Sequence, residues 1–222
     1  METDRVASVR KGRGRPKQFD RDDALDKALQ LFWRHGYEAT SLSDLVAATG
    51  AKAPTLYGEF GNKEGLFRAA VERYISQFAE RGRSLLSDPN STAQGAIENF
   101  LRDTAALYTD KSLPSGCFLV CTSAALSAAS SAVGEMLRNR HRLHEKMLMD
   151  FLRDRQLRGE IPDKTDVADL AKYFACLTQG MSVQARDGAS QEDLNAIVAK
   201  VMSAWPQLLM AEPGKARLAV EV

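Results

Sequence analysis

Four side chains in the first third of the sequence are spaced to hold an oxyanion. Thr40 and Ser41 precede one apolar-periodic segment, Tyr57 lies in the next, and Lys63 begins a third. Tyr57 follows Leu56 and so leaves the inward face of its segment, which frees its hydroxyl for a phosphate oxygen. Lys63 falls in the first turn of its segment, where helical amides and an ammonium together make an anion site. Thr40 and Ser41 can do the same from the other side. The competing reading makes Tyr57 a half-buried packing residue and Lys63 a solvated cap charge. No nucleophile elbow, phosphate-cradling glycine loop or His-Glu zinc pair occurs in the chain, so neither an enzyme nor a cofactor is expected.

The charge pattern agrees with an anionic partner. Thirty Lys+Arg against 29 Asp+Glu give a formal +1 over 222 residues, which alone points nowhere. Residues 1–18, however, hold six basic side chains and two acidic ones. Within that arm Arg13-Gly14-Arg15-Pro16-Lys17 looks like the core of an AT-hook: Arg13, Arg15 and Lys17 around a glycine slim enough for a narrow A·T minor groove. A solubilising basic tail is the alternative.

Three cysteines (Cys117, Cys121, Cys176) without framework spacing fit reduced thiols in a cytoplasm, and the N-terminus lacks the apolar segment of a secretory signal. Ser112–Gly134 carries no charge, but seven Ser/Thr with Pro114 and Gly116 argue for a buried helix of small side chains rather than a membrane span. No membrane partner is expected. His141, His144 and Glu145 share a helical face, yet Arg138, Arg140, Arg142 and Lys146 surround them, so a solvated face is expected and no metal.

Helical periodicity positions these residues, and alternating strand patterns are missing. Leu25, Ala28, Leu29 and Phe32 define a first helix from Asp20, its cap, to the stop at Gly36. Ser41-Leu42-Ser43-Asp44 reads as a capping box for a second helix ending at Gly50. A third carries Pro54 in its first turn, with Leu56 and Phe60 inward, and Asn62 caps a longer connecting helix through Phe78. Breaks further on delimit helices near 92–110, 116–130, 132–158, 165–186 and 191–211. The expected fold is all-α with about nine helices. Its divisions are a flexible arm (1–18), a three-helix unit (19–68), a larger helical bundle (69–211) and a tail (212–222).

A capped helix, a glycine turn and a second short helix form a helix-turn-helix, whose second helix enters the DNA major groove. Base reading then falls to Lys52, Ala53, Pro54, Thr55 and Gly58, with Lys52 placed for a guanine edge. The stretch Gly36-Tyr37-Glu38-Ala39-Thr40-Ser41-Leu42, then Leu45-Val46, Gly50, Thr55-Leu56-Tyr57 and Phe60-Gly61-Asn62-Lys63-Glu64-Gly65-Leu66-Phe67, resembles the DNA-binding domain of TetR/AcrR-type bacterial regulators over residues 19–68. The resemblance implies a homodimeric repressor that leaves a palindromic double-stranded DNA operator when a small-molecule or thiol-reactive inducer enters the C-terminal bundle. It also implies backbone-contact roles for Thr40, Ser41, Tyr57 and Lys63. Lys52, Pro54 and Gly58-Glu59 depart from the family pattern and leave the base roles open. The alternative is a redox or small-molecule binding protein whose helix-turn-helix contacts protein instead of DNA.

The bundle says less. Leu170, Phe174, Leu177 and Met181 on one segment, with Leu194, Ile197, Val198, Val201, Met202, Trp205 and Leu209 on the next, can pair with their copies in a second subunit or complete the chain's own core. Phe100, Tyr108, Cys117, Phe118, Cys121, Met147, Phe151 and Phe174 are the candidate lining of a ligand cavity, and ordinary core packing is the alternative. Gly116-Cys117 resembles the sensing cysteine of some family members, although nothing basic nearby in sequence would lower its pKa.

Overall fold

The computed structural model describes residues 19–210. Among these it is entirely helical: α1 (Arg21–Ala39), α2 (Leu42–Thr49), α3 (Ala53–Phe60), α4 (Lys63–Tyr74), a π turn (Ile75–Ala79), α5 (Glu80–Leu86), α6 (Ala93–Tyr108), α7 (Phe118–Ala124), α8 (Ser131–Leu157), α9 (Val167–Arg186), α10 (Gln191–Ser203) and α11 (Trp205–Met210). The basic arm and the tail lie outside the described residues.

Local chemistry sets the boundaries. Asp20 accepts from the amides of Asp22 and Asp23 at 3.0 and 3.1 Å, closing the start of α1. Ser41 and Asp44 form the expected capping box, with Ser41 N donating to Asp44 Oδ2 at 2.9 Å and Asp44 N to Ser41 Oγ at 3.2 Å. Gly50 ends α2 in the left-handed region (φ 69), a conformation that strains a side-chain-bearing residue. Asn62 caps α4 by accepting from Gly65 N at 2.8 Å. A Cβ on Gly65 would collide with the Phe60 carbonyl, so this glycine lets α3 close onto α4.

Three expectations are corrected. The connecting helix is broken into α4 and α5 by the π turn. The last helix divides at Ala204, because Pro206 cannot donate to the ladder and crowds the carbonyl four residues back. Those two divisions turn nine expected helices into eleven. The uncharged stretch 112–134 is not one buried helix. Gly116 takes φ 78, α7 runs for only seven residues, and the Ala125–Ser130 turn bonds elsewhere before α8 begins.

One continuous core joins the first helices to the bundle. Phe118 of α7 is fully buried between them, with ring centroids 5.4 Å from Phe67, 5.6 Å from Tyr74 and 6.2 Å from Trp33. Behind that seam, α4 to α6 and α8 surround a hollow.

Candidate nucleic-acid interface and interior cavity

Helix α1 packs across α2 and α4, and α3 packs on α2 and α4. Leu45 and Leu56 are buried at 0% and 1% exposure and fix the two short helices by their inner faces. Everything opposite Leu56 therefore points outward. Lys52, Pro54, Thr55, Tyr57 and Gly58 are exposed, and Ala53 is half-buried. Lys52 is the N-cap of α3, where its ammonium, a donor only, cannot cap the helix amides. Tyr57 is 41% exposed, against the packing alternative.

Lys63 occupies the first position of α4. Its Nζ stands 4.4 Å from the Tyr37 ring centroid and donates to the Glu38 carbonyl at 3.4 Å. Partial burial pulls its pKa down, opposed by the Glu38 carboxylate. Ser41 lies exposed at the start of α2, with Ser43 Oγ 2.7 Å away, a second hydroxyl that sequence reading did not single out. Thr40 departs from its expected role. It is 1% exposed, and its hydroxyl donates to the Gly36 carbonyl at 2.7 Å. The hydroxyl closes the end of α1 instead of facing outward. Arg13, Arg15 and Lys17 lie outside the described residues.

The hollow is a cavity of about 770 Å³. Of the expected lining residues, Phe100, Tyr108, Cys117, Met147 and Phe151 border it. Phe118, Cys121 and Phe174 do not. Phe118 fills the aromatic seam, Cys121 faces Ser182 and the Ser115 carbonyl, and Phe174 packs on Trp205 at 6.2 Å. Sequence reading missed Tyr74, Phe78 and Thr178, which come from elements whose inward faces become walls only after the bundle closes. The histidines are also corrected. His141 and His144 border the cavity instead of a solvated face, while Arg138 and Arg142 turn outward to Glu135. Burial holds His144 at about 4, helped by His141; its Nε2 is 3.3 Å from Thr178 Oγ1. Burial also pulls His141 down. Cys117 receives the Tyr74 hydroxyl at 3.4 Å, and burial pushes its thiol up.

Hydrogen bonds tie α1 to the bundle. Glu38, just past the break in α1, accepts from Ser127 N at 3.1 Å, Ser127 Oγ at 2.6 Å and Ser130 Oγ at 2.7 Å, all in the α7–α8 turn. Those donors hold its carboxyl below the usual range, the Ser127 hydroxyl most. Trp33 Nε1 donates to the Gly116 carbonyl at 3.2 Å, and Arg186 of α9 donates to the carbonyls of Trp33 and Arg34 at 3.0 and 2.8 Å.

A family model described as "Bacterial regulatory proteins, tetR family" matches residues 24–70, and one described as "Tetracyclin repressor-like, C-terminal domain" matches residues 93–201. The HTH-type transcriptional repressor ComR of Escherichia coli K12 is 50% identical over 209 residues, spanning 94% of this chain and all of that protein. The repressor BdcR of the same strain is 24% identical over 88% of this chain and 94% of its own length. A solved TetR family regulator, a cysteine mutant of CifR complexed with a 26-base-pair operator duplex, superposes with a TM-score of 0.82 at 36% identity, covering 86% of this chain and all of its own. No helix among the described residues is long and apolar enough to cross a membrane.

Proposed function

The chain belongs to the TetR family of bacterial regulatory proteins, and from that premise we propose that it is a dimeric, cytoplasmic, non-enzymatic repressor of transcription. It binds a palindromic DNA operator and releases it when a small molecule enters the cavity. Residues 19–68 form the DNA-binding unit and 69–211 the effector and dimerisation unit, with the arm reaching an A·T-rich minor groove. The observation that carries the reading is the joint one. Ser41 and Tyr57 are exposed and Lys63 is half-buried on a helix-turn-helix that hydrogen bonds connect to a hollow bundle. Ser41, Tyr57 and Lys63 hold phosphates and set register, and Lys52, Ala53, Pro54, Thr55 and Gly58 meet base edges. Burial pushes the Cys117 thiol up, which disfavours a reactive thiolate at that position.

The dimer contact is placed on other side chains of the same two helices. Leu170, Phe174, Met181, Leu194, Val198, Val201, Met202 and Trp205 are buried within the protomer, and Leu177, Ile197 and Leu209 are partly so. On α9, Tyr173, Cys176, Gly180 and Val183 are exposed at helical spacing along one stripe, beside the exposed Lys172 and Gln184. Ala196, Ala199 and Ser203 are exposed on neighbouring α10. Small residues there let two copies of each helix approach closely in a four-helix contact.

Footprinting on the DNA upstream of the protein's own gene tests the reading. A protected site with two-fold symmetry supports it. Failure to protect that DNA, together with failure to select any duplex from a random pool, overturns it.

A further inference from the structure

Helix α9 holds α1 at the point where α1 breaks. Gly36, at φ 80, ends the first part of the α1 ladder, and a helix end leaves the carbonyls of its last turn without amide partners. The Thr40 hydroxyl takes the carbonyl of Gly36 itself. Those of Trp33 and Arg34 are taken by the last residue of α9: Arg186 Nη1 and Nη2 donate to them at 3.0 and 2.8 Å. A guanidinium suits this place, since its planar fork spans two acceptors and its charge meets the negative end of a helix dipole.

One turn earlier on α9, Ser182 is fully buried, and its hydroxyl accepts from Cys117 N at 2.7 Å. A Cβ on Gly116 would stand 2.7 Å from the Ser182 carbonyl, so the chain leading into α7 rests directly on α9. The Gly116 carbonyl in turn accepts from Trp33 Nε1 at 3.2 Å. The bonds close a circuit: α9 holds residues 116 and 117, these hold Trp33, and Arg186 holds Trp33 and Arg34. Val183 lies between Ser182 and Arg186 and belongs to the stripe proposed for the dimer contact. On that reading of the dimer, one turn of α9, about 5.4 Å, meets the second protomer on one side and α1 on the other.

We propose that Arg186 is the positioning residue for operator spacing. By fixing the end of α1 to the dimer helix it sets the distance and angle between the two helix-turn-helix units, and thereby which half-site spacing the dimer accepts. One base pair more or less between half-sites moves the second by about 3.4 Å and 34°. A rigidly held pair of reading units loses the linked second contact on such a duplex. Ser182 and Trp33 form the buried centre of the joint; Arg186 lies exposed at its rim, where a substitution opens no core.

Two measurements on the full chain test this. The first needs no operator: double electron–electron resonance between spin labels carried on an unnatural amino acid in place of Ala47, exposed on α2, in both protomers. The unaltered dimer should give one narrow distance distribution. Arg186→Ala should widen it at least about twofold, and Arg186→Lys, whose ammonium can still reach one carbonyl, should fall between. The second uses a duplex selected from a random pool, with derivatives carrying one or two base pairs inserted or removed between its half-sites. The unaltered protein should lose about 10²-fold or more on the displaced spacings, and Arg186→Ala at most about tenfold, with equal affinity of both proteins for an isolated half-site. An unchanged distance distribution, a spacing profile as steep as that of the unaltered protein, or an equal loss on the isolated half-site overturns the proposal. Sedimentation separates the failures. An unaltered protein that runs as a single chain, or a pool that yields no duplex, overturns the functional reading and the spacing role with it. A dimer whose spacing profile ignores Arg186→Ala overturns the spacing role alone.

Discussion

Thr40 and Ser41 are neighbours in sequence with opposite fates. The Ser41 hydroxyl caps α2 at the surface, whereas the Thr40 hydroxyl is buried on the Gly36 carbonyl. Ser41 was legible because a cap followed three residues later by an acid is a local pattern. The fate of Thr40 was not, because its acceptor exists only where Gly36, at φ 80, breaks the α1 ladder. Thr40→Val should therefore cost about 1–3 kcal/mol in urea unfolding, the penalty of an orphaned buried carbonyl, and leave the salt dependence of DNA binding alone. Lys63→Ala should do the reverse. Affinity for every duplex should fall by a similar factor, and the slope of log K against log salt should flatten by about one, because one phosphate contact is lost. Tyr57→Phe should weaken all duplexes without changing that slope. Anisotropy titrations at several salt concentrations separate the three; selectivity lost with no salt effect at Lys63 would contradict the phosphate role.

At the scale of elements, the starts of helices were readable and the middle of the bundle was not. Asp20, Ser41 and Asn62 announce α1, α2 and α4 through hydrogen bonds within three residues. The cavity is assembled from α4, α5, α6, α7, α8, α9 and the segments between them, so no single period in the sequence encodes it. The misplacement of Phe118 has the same origin: its partners Trp33 and Phe67 come from other helices. The shortened α7 is explained by the Ser127 and Ser130 hydroxyls, which turn to Glu38 and leave the chain between α7 and α8 as a tethered turn. That tether should respond to acid. The folded-state pKa of Glu38 lies below that of a free glutamate, so its contribution to stability is complete above the unfolded pKa and fades as pH falls through the lower folded one. The Ser127 amide resonance should accordingly titrate with a midpoint below that of a free glutamate, and its hydrogen exchange should accelerate in Glu38→Ala at neutral pH. A midpoint at or above that of a free glutamate, or unchanged exchange, would show that the tether is not formed in solution.

For the whole molecule, the decisive quantity is how two protomers share one operator. A single helix-turn-helix reads one half-site, and a partner set about one DNA turn away converts its second contact into an intramolecular event. The proposed dimer surface is the α9 stripe of Tyr173, Cys176, Gly180 and Val183, because the larger apolar side chains of α9 and α10 are consumed inside the protomer. Val183 is 47% exposed in the protomer, so a charge there costs its own fold little. In a close-packed interface the same charge, facing its copy across a two-fold axis, is buried beside a like charge. Val183→Asp should thus sediment as a single chain at concentrations where the unaltered protein sediments as a dimer, with unchanged helical circular dichroism. Its affinity for a two-half-site operator should fall by about 10²- to 10⁴-fold, the avidity of the linked contact, while its affinity for an isolated half-site stays the same. An equal loss on both duplexes would place the damage in the DNA-binding helices, and a variant that remains dimeric would move the interface off this stripe.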